Sequence, residues 1–253
     1  MYQVVKKVLN SAGIDVNRIA PNQVNYWPRN TPEKIVFYEL DDQFHTNYEK
    51  AQVSTQMDLS DNAYRRQRHY TLVQLFRNTL EIPGQVAECG TFHGLSAYQI
   101  SKIIKESQMD KRFHIFDSFE GLSEIKEEDR SDDVKVSDSE LRTQFAYGID
   151  LVRKNLEGFD FVELFKGWIP ERFQEVAEHE YSFVHVDVDL YEPIKECIDF
   201  FFPRLSKGGI MVFDDYGFSP QFPGAKKAVD EFLNKNEVSH FISLPSGQAY
   251  IIK

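Results

Sequence analysis

Four aspartates stand in two pairs, Asp187 with Asp189 in "VHVDVDL" and Asp214 with Asp215 in "FDDYG". Both pairs close an apolar run that reads as a buried strand, Phe183 to Leu190 in the first case and "IMVF" in the second. A buried carboxylate is costly unless something pairs with it. Residues two apart in a strand share a face, so Asp187 and Asp189 are expected to point the same way, with Val188 on the opposite face. Each like-charged pair ~4 Å apart costs on the order of 4 kcal/mol at an effective dielectric near 20. Such a cluster takes up protons or binds a cation. All-oxygen ligands favour Mg²⁺, with Mn²⁺ or Ca²⁺ as alternatives, and one aspartate can remain free for chemistry. The plain alternative is that each acid is quenched by a nearby Arg or Lys or caps the next segment. His185 shares the expected strand face with Asp187. It reads as an orienting group or simply as a buried histidine.

A second candidate is the glycine turn in "AECGTFHGLS", with Gly90 and Gly94 spaced G-x-x-x-G. This differs from the G-x-G-x-x-G of dinucleotide binders, so a pyrophosphate ligand is less favoured. Glu88 precedes the turn and is a candidate partner for a ligand ammonium. Asp117 ends the next strand, where an acid accepts hydrogen bonds from ribose hydroxyls. A ligand with an amino acid at one end and a ribose at the other fits both, and S-adenosylmethionine is such a ligand.

The elements that must position these residues follow a βαβ rhythm. A helix is expected in "SDNAYRRQRHYTLVQLFRNTL", capped at Ser60 or Asp61. Strand "QVAECG", helix "HGLSAYQISKIIKESQ" and strand "RFHIFDSFEG" come next, then an acidic stretch at 122–143 that is either a solvated loop or a lid. Further on are a helix at about 139–156, strand "FVELFKG", helix "PERFQEVAE", the first aspartate strand, helix "PIKECIDFFFPRL", the second aspartate strand and helix "GAKKAVDEFLNKN". The chain closes on a hairpin signal around Pro245, Ser246 and Gly247. The economical solution is a doubly wound α/β/α sandwich on a mostly parallel sheet with an antiparallel end. Residues 1–60 read as an accessory segment, with a short helix in "QVVKKVLNSAG" and an ambiguous stretch in "EKIVFYEL"; residues 61–253 read as the main domain.

The chain of 253 residues carries a net charge of -11, which argues against nucleic-acid partners. The cluster Arg65, Arg66 and Arg68 reads as a solvated helix face. Cys89 and Cys197 have no partner at metal-type spacing and read as buried free thiols. No apolar run approaches the ~18 residues of a membrane span, and the start lacks a signal-peptide core, so a cytoplasmic protein is expected.

"AECGTFHGLS", "FDSFEGL", "HVDVDLYEP", "LSKGGIMVFDDYG" and "GAKKAVDEF", in that order across about residues 60–235, together resemble the macrocin O-methyltransferase family (TylF/MycF type). That resemblance implies a Rossmann-like, seven-stranded sheet with an antiparallel last strand, and S-adenosylmethionine-dependent methylation of a sugar hydroxyl. It implies Mg²⁺ held by Asp187, Asp214 and Asp215, and Asp189 as general base. It implies cofactor contacts from Glu88, Gly90, Gly94, Ser96, Asp117 and Ser118. It also implies a homo-oligomer, such as a dimer, with residues 1–60 shaping the acceptor pocket. Trp168, Tyr191 and Tyr216 are candidates to stack on the sugar. The family often has an aromatic–Arg pair in the glycine loop where this chain has Phe92 and His93. The rivals are a catechol-type O-methyltransferase, an NAD-dependent dehydrogenase or epimerase, and a non-catalytic nucleotide-binding module. The dehydrogenase reading predicts a G-x-G-x-x-G that does not occur at the first turn.

Overall fold

The structure, a computed structural model, describes residues 40–57, 61–131, 137–217, 223–238 and 240–253. The chain divides into two compact units, Met1–Val36 and Phe37–Lys253, and every described residue belongs to the second. The elements expected in residues 3–13 and 33–39, the candidate cap Ser60 and part of the acidic stretch (132–136) lie outside the described residues.

Seven strands form one sheet: β1 (Gln85–Cys89), β2 (Phe113–Asp117), β3 (Val162–Lys166), β4 (Tyr181–Val186), β5 (Leu205–Phe213), β6 (His240–Ser243) and β7 (Ala249–Ile252). Their order is β3-β2-β1-β4-β5-β7-β6. The first five are parallel; β7 runs antiparallel to both β5 and β6. The helices are α1 (Asp42–Thr55), α2 (Ala63–Arg77), α3 (Leu95–Ser107), α4 (Asp138–Thr143), α5 (Ile149–Asn155), α6 (Tyr191–Arg204) and α7 (Pro223–Lys235). No described helix is long and apolar enough to cross a membrane.

Strand alternation assigns the two faces of the sheet. Ala87, Cys89, Val184, Val186, Met211 and Phe213 pack with Ile194, Cys197, Ile198 and Phe201 of α6 and with Ala225, Ala228 and Val229 of α7 in one apolar cluster. Phe183, on the other face, meets Phe76 of α2 with ring centroids 5.2 Å apart. That face also carries Glu88 and His185, which stand opposite each other in the β1–β4 ladder. The order in which strands are added reverses between the parallel neighbours β1 and β4, and ligands of open α/β sheets bind at the carboxyl ends of strands at such a switch point.

Several boundaries differ from the sequence reading. Helix α2 is capped by Asn62, whose side chain accepts the Arg65 N–H, while Asp61 binds Arg66. The helix expected over 139–156 is two short helices, because the chain turns at 144–148 to lay Phe145 on the cluster of Leu122, Ile125 and Leu190 and to stack Tyr147 on His93 at 3.6 Å. "PERFQEVAE" forms only a 3₁₀ turn at Phe173–Val176. Strand β4 stops at Val186, so Asp187 and Asp189 lie beyond it in a tight turn where Leu190 N–H donates to the Val188 carbonyl at 2.6 Å.

Buried His114 on β2 meets the Tyr181 hydroxyl at 2.9 Å. Burial, opposed by Glu163 and reinforced by His179 and Arg112, pushes its pKa down from 6.5 to about 4. The unfolded chain therefore binds a proton that the folded chain refuses between these two values. The associated stability is complete above pH 6.5 and is lost as pH falls toward 4, a loss of at most about 3 kcal/mol. Urea midpoints measured at pH 7 and pH 4.5 should fall on acidification in the wild type and fall less in His114→Gln; equal slopes would remove His114 from the acid response.

Candidate active site

A cavity of about 340 Å³ opens where β1, β2, β4 and β5 end. That volume lies in the range of ligand clefts. Of the ten candidate residues from the sequence, Gly90, Ser96, Asp117, Ser118, Asp187, Asp189, Asp214 and Asp215 line it. Glu88 and Gly94 do not line it.

The glycine turn forms because β1 must leave the sheet against the chain that follows β4. Gly90 has φ +81°, and a Cβ there would sit 1.8 Å from the Asp187 carbonyl oxygen. The ladder continues past the strand, with Asp187 N–H donating to the Cys89 carbonyl at 2.8 Å. Gly94 has φ +88° and begins α3 without a side-chain cap, so its part in the turn is conformational. Asp117 binds the turn from the next strand: its Oδ2 accepts Thr91 N–H at 2.7 Å and Phe92 N–H at 3.3 Å, and its Oδ1 accepts Phe119 N–H at 2.6 Å. Burial pushes this carboxyl above its usual range, and the three N–H groups pull it back. Three of roughly four lone-pair positions are used, so room remains for about one further hydroxyl rather than two.

Glu88 is fully buried behind the wall. One oxygen accepts the Thr91 hydroxyl at 2.8 Å and the other meets His185 Nδ1 at 2.9 Å. The two Glu88 oxygens, expected to meet a ligand ammonium, each hold one internal partner. Ser118 is also engaged internally: its hydroxyl donates to the Gly121 carbonyl at 2.8 Å and accepts the Glu120 N–H at 3.0 Å.

The aspartates converge, though not by sharing a strand face. Asp189 has φ +57°, and its N–H donates to Asp215 Oδ2 at 3.2 Å. Val188 lines the cavity as well, contrary to the expected alternation. Burial first, then the Asp187 charge, pushes the Asp189 carboxyl up to about 7. Burial, then Asp189 and Asp187, push Asp215 well up, against the pull of Arg68 and the Asp189 N–H.

Part of the compensation is a guanidinium. Arg68 forms an ion pair with Asp214 and lies 3.8 Å from Asp215 Oδ1. The reading of Arg65, Arg66 and Arg68 as one solvated face is corrected here: Arg65 and Arg68 line the cavity, and Arg66 binds Asp61. Gln248, from the turn before β7, donates to Asp214 Oδ1 at 2.6 Å. Among the described residues, Arg68 pairs with two of the four carboxylates and Arg65 lines the same cavity, two guanidiniums against four acids. Among the described residues, His185, Asp187 and Asp214 each bring a possible ligand atom within 4.8 Å of the other two. Asp215, expected in this set, is not part of that group. Trp168 lines the cavity. Tyr191 and Tyr216 do not; their hydroxyls donate to Glu231 and Asp230. The stretch 121–131 is docked rather than free: Leu122 and Ser123 line the cavity, and buried Asp129 accepts the Tyr191 N–H at 2.7 Å.

A switch-point crevice with a glycine turn after β1 and acids after β2, β4 and β5 defines a Rossmann-like small-molecule site. The chain belongs to the macrocin-O-methyltransferase (TylF) family, which it matches over residues 16–244. It is 25% identical over 163 residues to a demethyldecarbamoylnovobiocin O-methyltransferase of Streptomyces niveus, covering 62% of this chain and 61% of that protein. It is likewise 25% identical over 169 residues to a mycinamicin III 3''-O-methyltransferase of Micromonospora griseorubida, covering 62% and 63%. The chain thus spans about six-tenths of the length of these curated relatives. Among solved structures, the fold matches the O-methyltransferase NovP with a TM-score of 0.64 at 23% identity, over 83% of this chain and 88% of that one. It matches the calicheamicin methyltransferase CalS11 at 0.63 and 17%, over 94% and 99%.

Proposed function

We propose that this chain is an S-adenosylmethionine-dependent O-methyltransferase whose acceptor is a hydroxyl of a sugar or glycosylated small molecule, with a divalent ion, Mg²⁺ in the first instance, at the aspartate cluster. The observation that carries the reading is the meeting of the glycine turn and the acid cluster in one cavity, down to the contact of Gly90 with the Asp187 backbone. Family membership supports methyl transfer, and the named relatives, which act on novobiocin- and mycinamicin-type compounds, support a glycosylated acceptor.

The donor set fits a cation. Asp187 and Asp214 offer hard oxygens within 4.8 Å of each other, and buried His185 Nε2, in the same group, has no hydrogen-bond partner. When bound, the two groups would supply an electrophilic methyl on sulfur and an electrostatic lowering of the acceptor hydroxyl's pKa. The protein supplies the rest. The turn Gly90–Ser96 and Asp117 fix the nucleoside end of the donor. Asp189, held on the Asp215 carboxylate through its own N–H, accepts the proton of the acceptor hydroxyl at a side-chain oxygen. Leu95, Phe116, Leu122 and Phe145 exclude water, and the walls hold the reacting atoms in line.

Incubation with S-adenosylmethionine and a panel of sugar and catechol acceptors is the direct test. Methylated sugar is expected, and EDTA should reduce its formation at least about 100-fold, the lower end for removing an essential electrostatic group. Undiminished turnover in EDTA would reject the metal, and methylation of catechols alone would reassign the acceptor.

A further inference from the structure

His185 is 1% exposed, and its Nδ1 lies 2.9 Å from Glu88 Oε1. Nδ1 is thus engaged by the Glu88 carboxyl, and Nε2 is the ring nitrogen that faces the acid cluster. That Nε2 is buried without a hydrogen-bond partner. The nearest acid oxygen, Asp214 Oδ1, is 3.5 Å away and already receives the Gln248 amide at 2.6 Å, while the other Asp214 oxygen meets Arg68. Both Asp214 oxygens therefore have partners other than the histidine. A buried ring nitrogen without a hydrogen bond, grouped with oxygens of Asp187 and Asp214 inside 4.8 Å, has the geometry of a ligand set.

We propose that His185 is itself a ligand of the divalent ion through Nε2, and that Glu88 is the positioning residue that holds its ring. The proposal rests on the metal reading above and changes its chemistry. The first coordination shell becomes nitrogen and oxygen, built from His185, Asp187 and Asp214, in place of three carboxylates. Imidazole suits first-row transition ions better than Mg²⁺ or Ca²⁺, so Mn²⁺ and Co²⁺ should bind more tightly than Mg²⁺. A carboxylate behind a ligating histidine is the recurrent arrangement for holding such a ring, and its loss typically weakens metal binding 10–100-fold.

The fold prepares this pairing. Glu88 and His185 are direct neighbours in the β1–β4 ladder, and Val212, which neighbours His185 on β5, is two residues before Asp214. The three side chains therefore follow one another along one face of the sheet.

The test is pulsed EPR of the purified full chain loaded with Mn²⁺, with Mn²⁺ and Mg²⁺ affinities measured by calorimetry. Wild type should show nitrogen modulation from a directly coordinated imidazole. His185→Gln should lose that modulation and bind Mn²⁺ at least about tenfold more weakly, with the preference over Mg²⁺ reduced. Glu88→Gln should keep the modulation while binding about 10–100-fold more weakly. The wild-type spectrum decides even if a variant fails to fold. Mn²⁺ bound without nitrogen modulation would overturn the His185 assignment and leave the proposed function standing. Failure of the wild type to bind either ion would overturn both.

Discussion

Asp189→Asn is expected to cut turnover by about 10²–10⁴-fold, the range for loss of a general base, while S-adenosylhomocysteine and Mn²⁺ bind as in the wild type. The substitution is well suited to the position. Asp189 sits at φ +57°, a left-handed conformation that asparagine tolerates, so the turn after β4 should keep its shape. The backbone N–H that binds Asp215 is unchanged. Only the ability of the side chain to take a proton is removed. The loss should therefore appear in kcat with little change in KM for the acceptor, the pattern of a group that acts in the transition state alone. Steady-state assays beside metal and cofactor calorimetry check this. A variant with near-normal turnover would remove Asp189 from proton transfer, and a variant that binds Mn²⁺ weakly would make it a ligand instead.

The site was partly legible in the sequence because its main signals are local. A glycine directly after an apolar run, and acids at the ends of three such runs, placed Gly90, Asp117, Asp187, Asp189, Asp214 and Asp215 at one edge of a parallel sheet, and all six line the cavity. What was not legible depends on contacts between distant segments. Arg68 looks like one of three charged residues on a helix, and nothing nearby in sequence says that it turns to Asp214. Gln248 reaches the same aspartate from the hairpin, 34 residues further on. The contact of Glu88 with His185, 97 residues away, is likewise a product of the fold. The strict alternation of "VHVDVDL" continues past the true end of β4, since period two cannot register that the chain must bend where Gly90 meets Asp187. The one available hint for His185 was that it shares alternation with Asp187, which suggested a neighbour of the cluster but not a donor aimed into it.

Gly90→Ala should disable both halves of the site at once. At φ +81° an L-residue costs roughly 1–2 kcal/mol, and the added Cβ would lie 1.8 Å from the Asp187 carbonyl oxygen, well inside contact distance. Neither partner can yield without consequence. Moving Asp187 breaks its N–H bond to the Cys89 carbonyl and displaces a carboxylate of the ion-binding group. Moving residue 90 instead pulls Thr91 and Phe92 off Asp117, opening the turn that lines the donor side. The expected result is a loss of at least about 2 kcal/mol of stability, read from urea unfolding, together with weakened binding of both S-adenosylhomocysteine and Mn²⁺ in the molecules that remain folded. The joint loss is the informative part. A folded variant that lost cofactor binding but kept full Mn²⁺ affinity would mean that the acid cluster holds its shape without the turn. The two groups of residues would then share a cavity without sharing a backbone constraint.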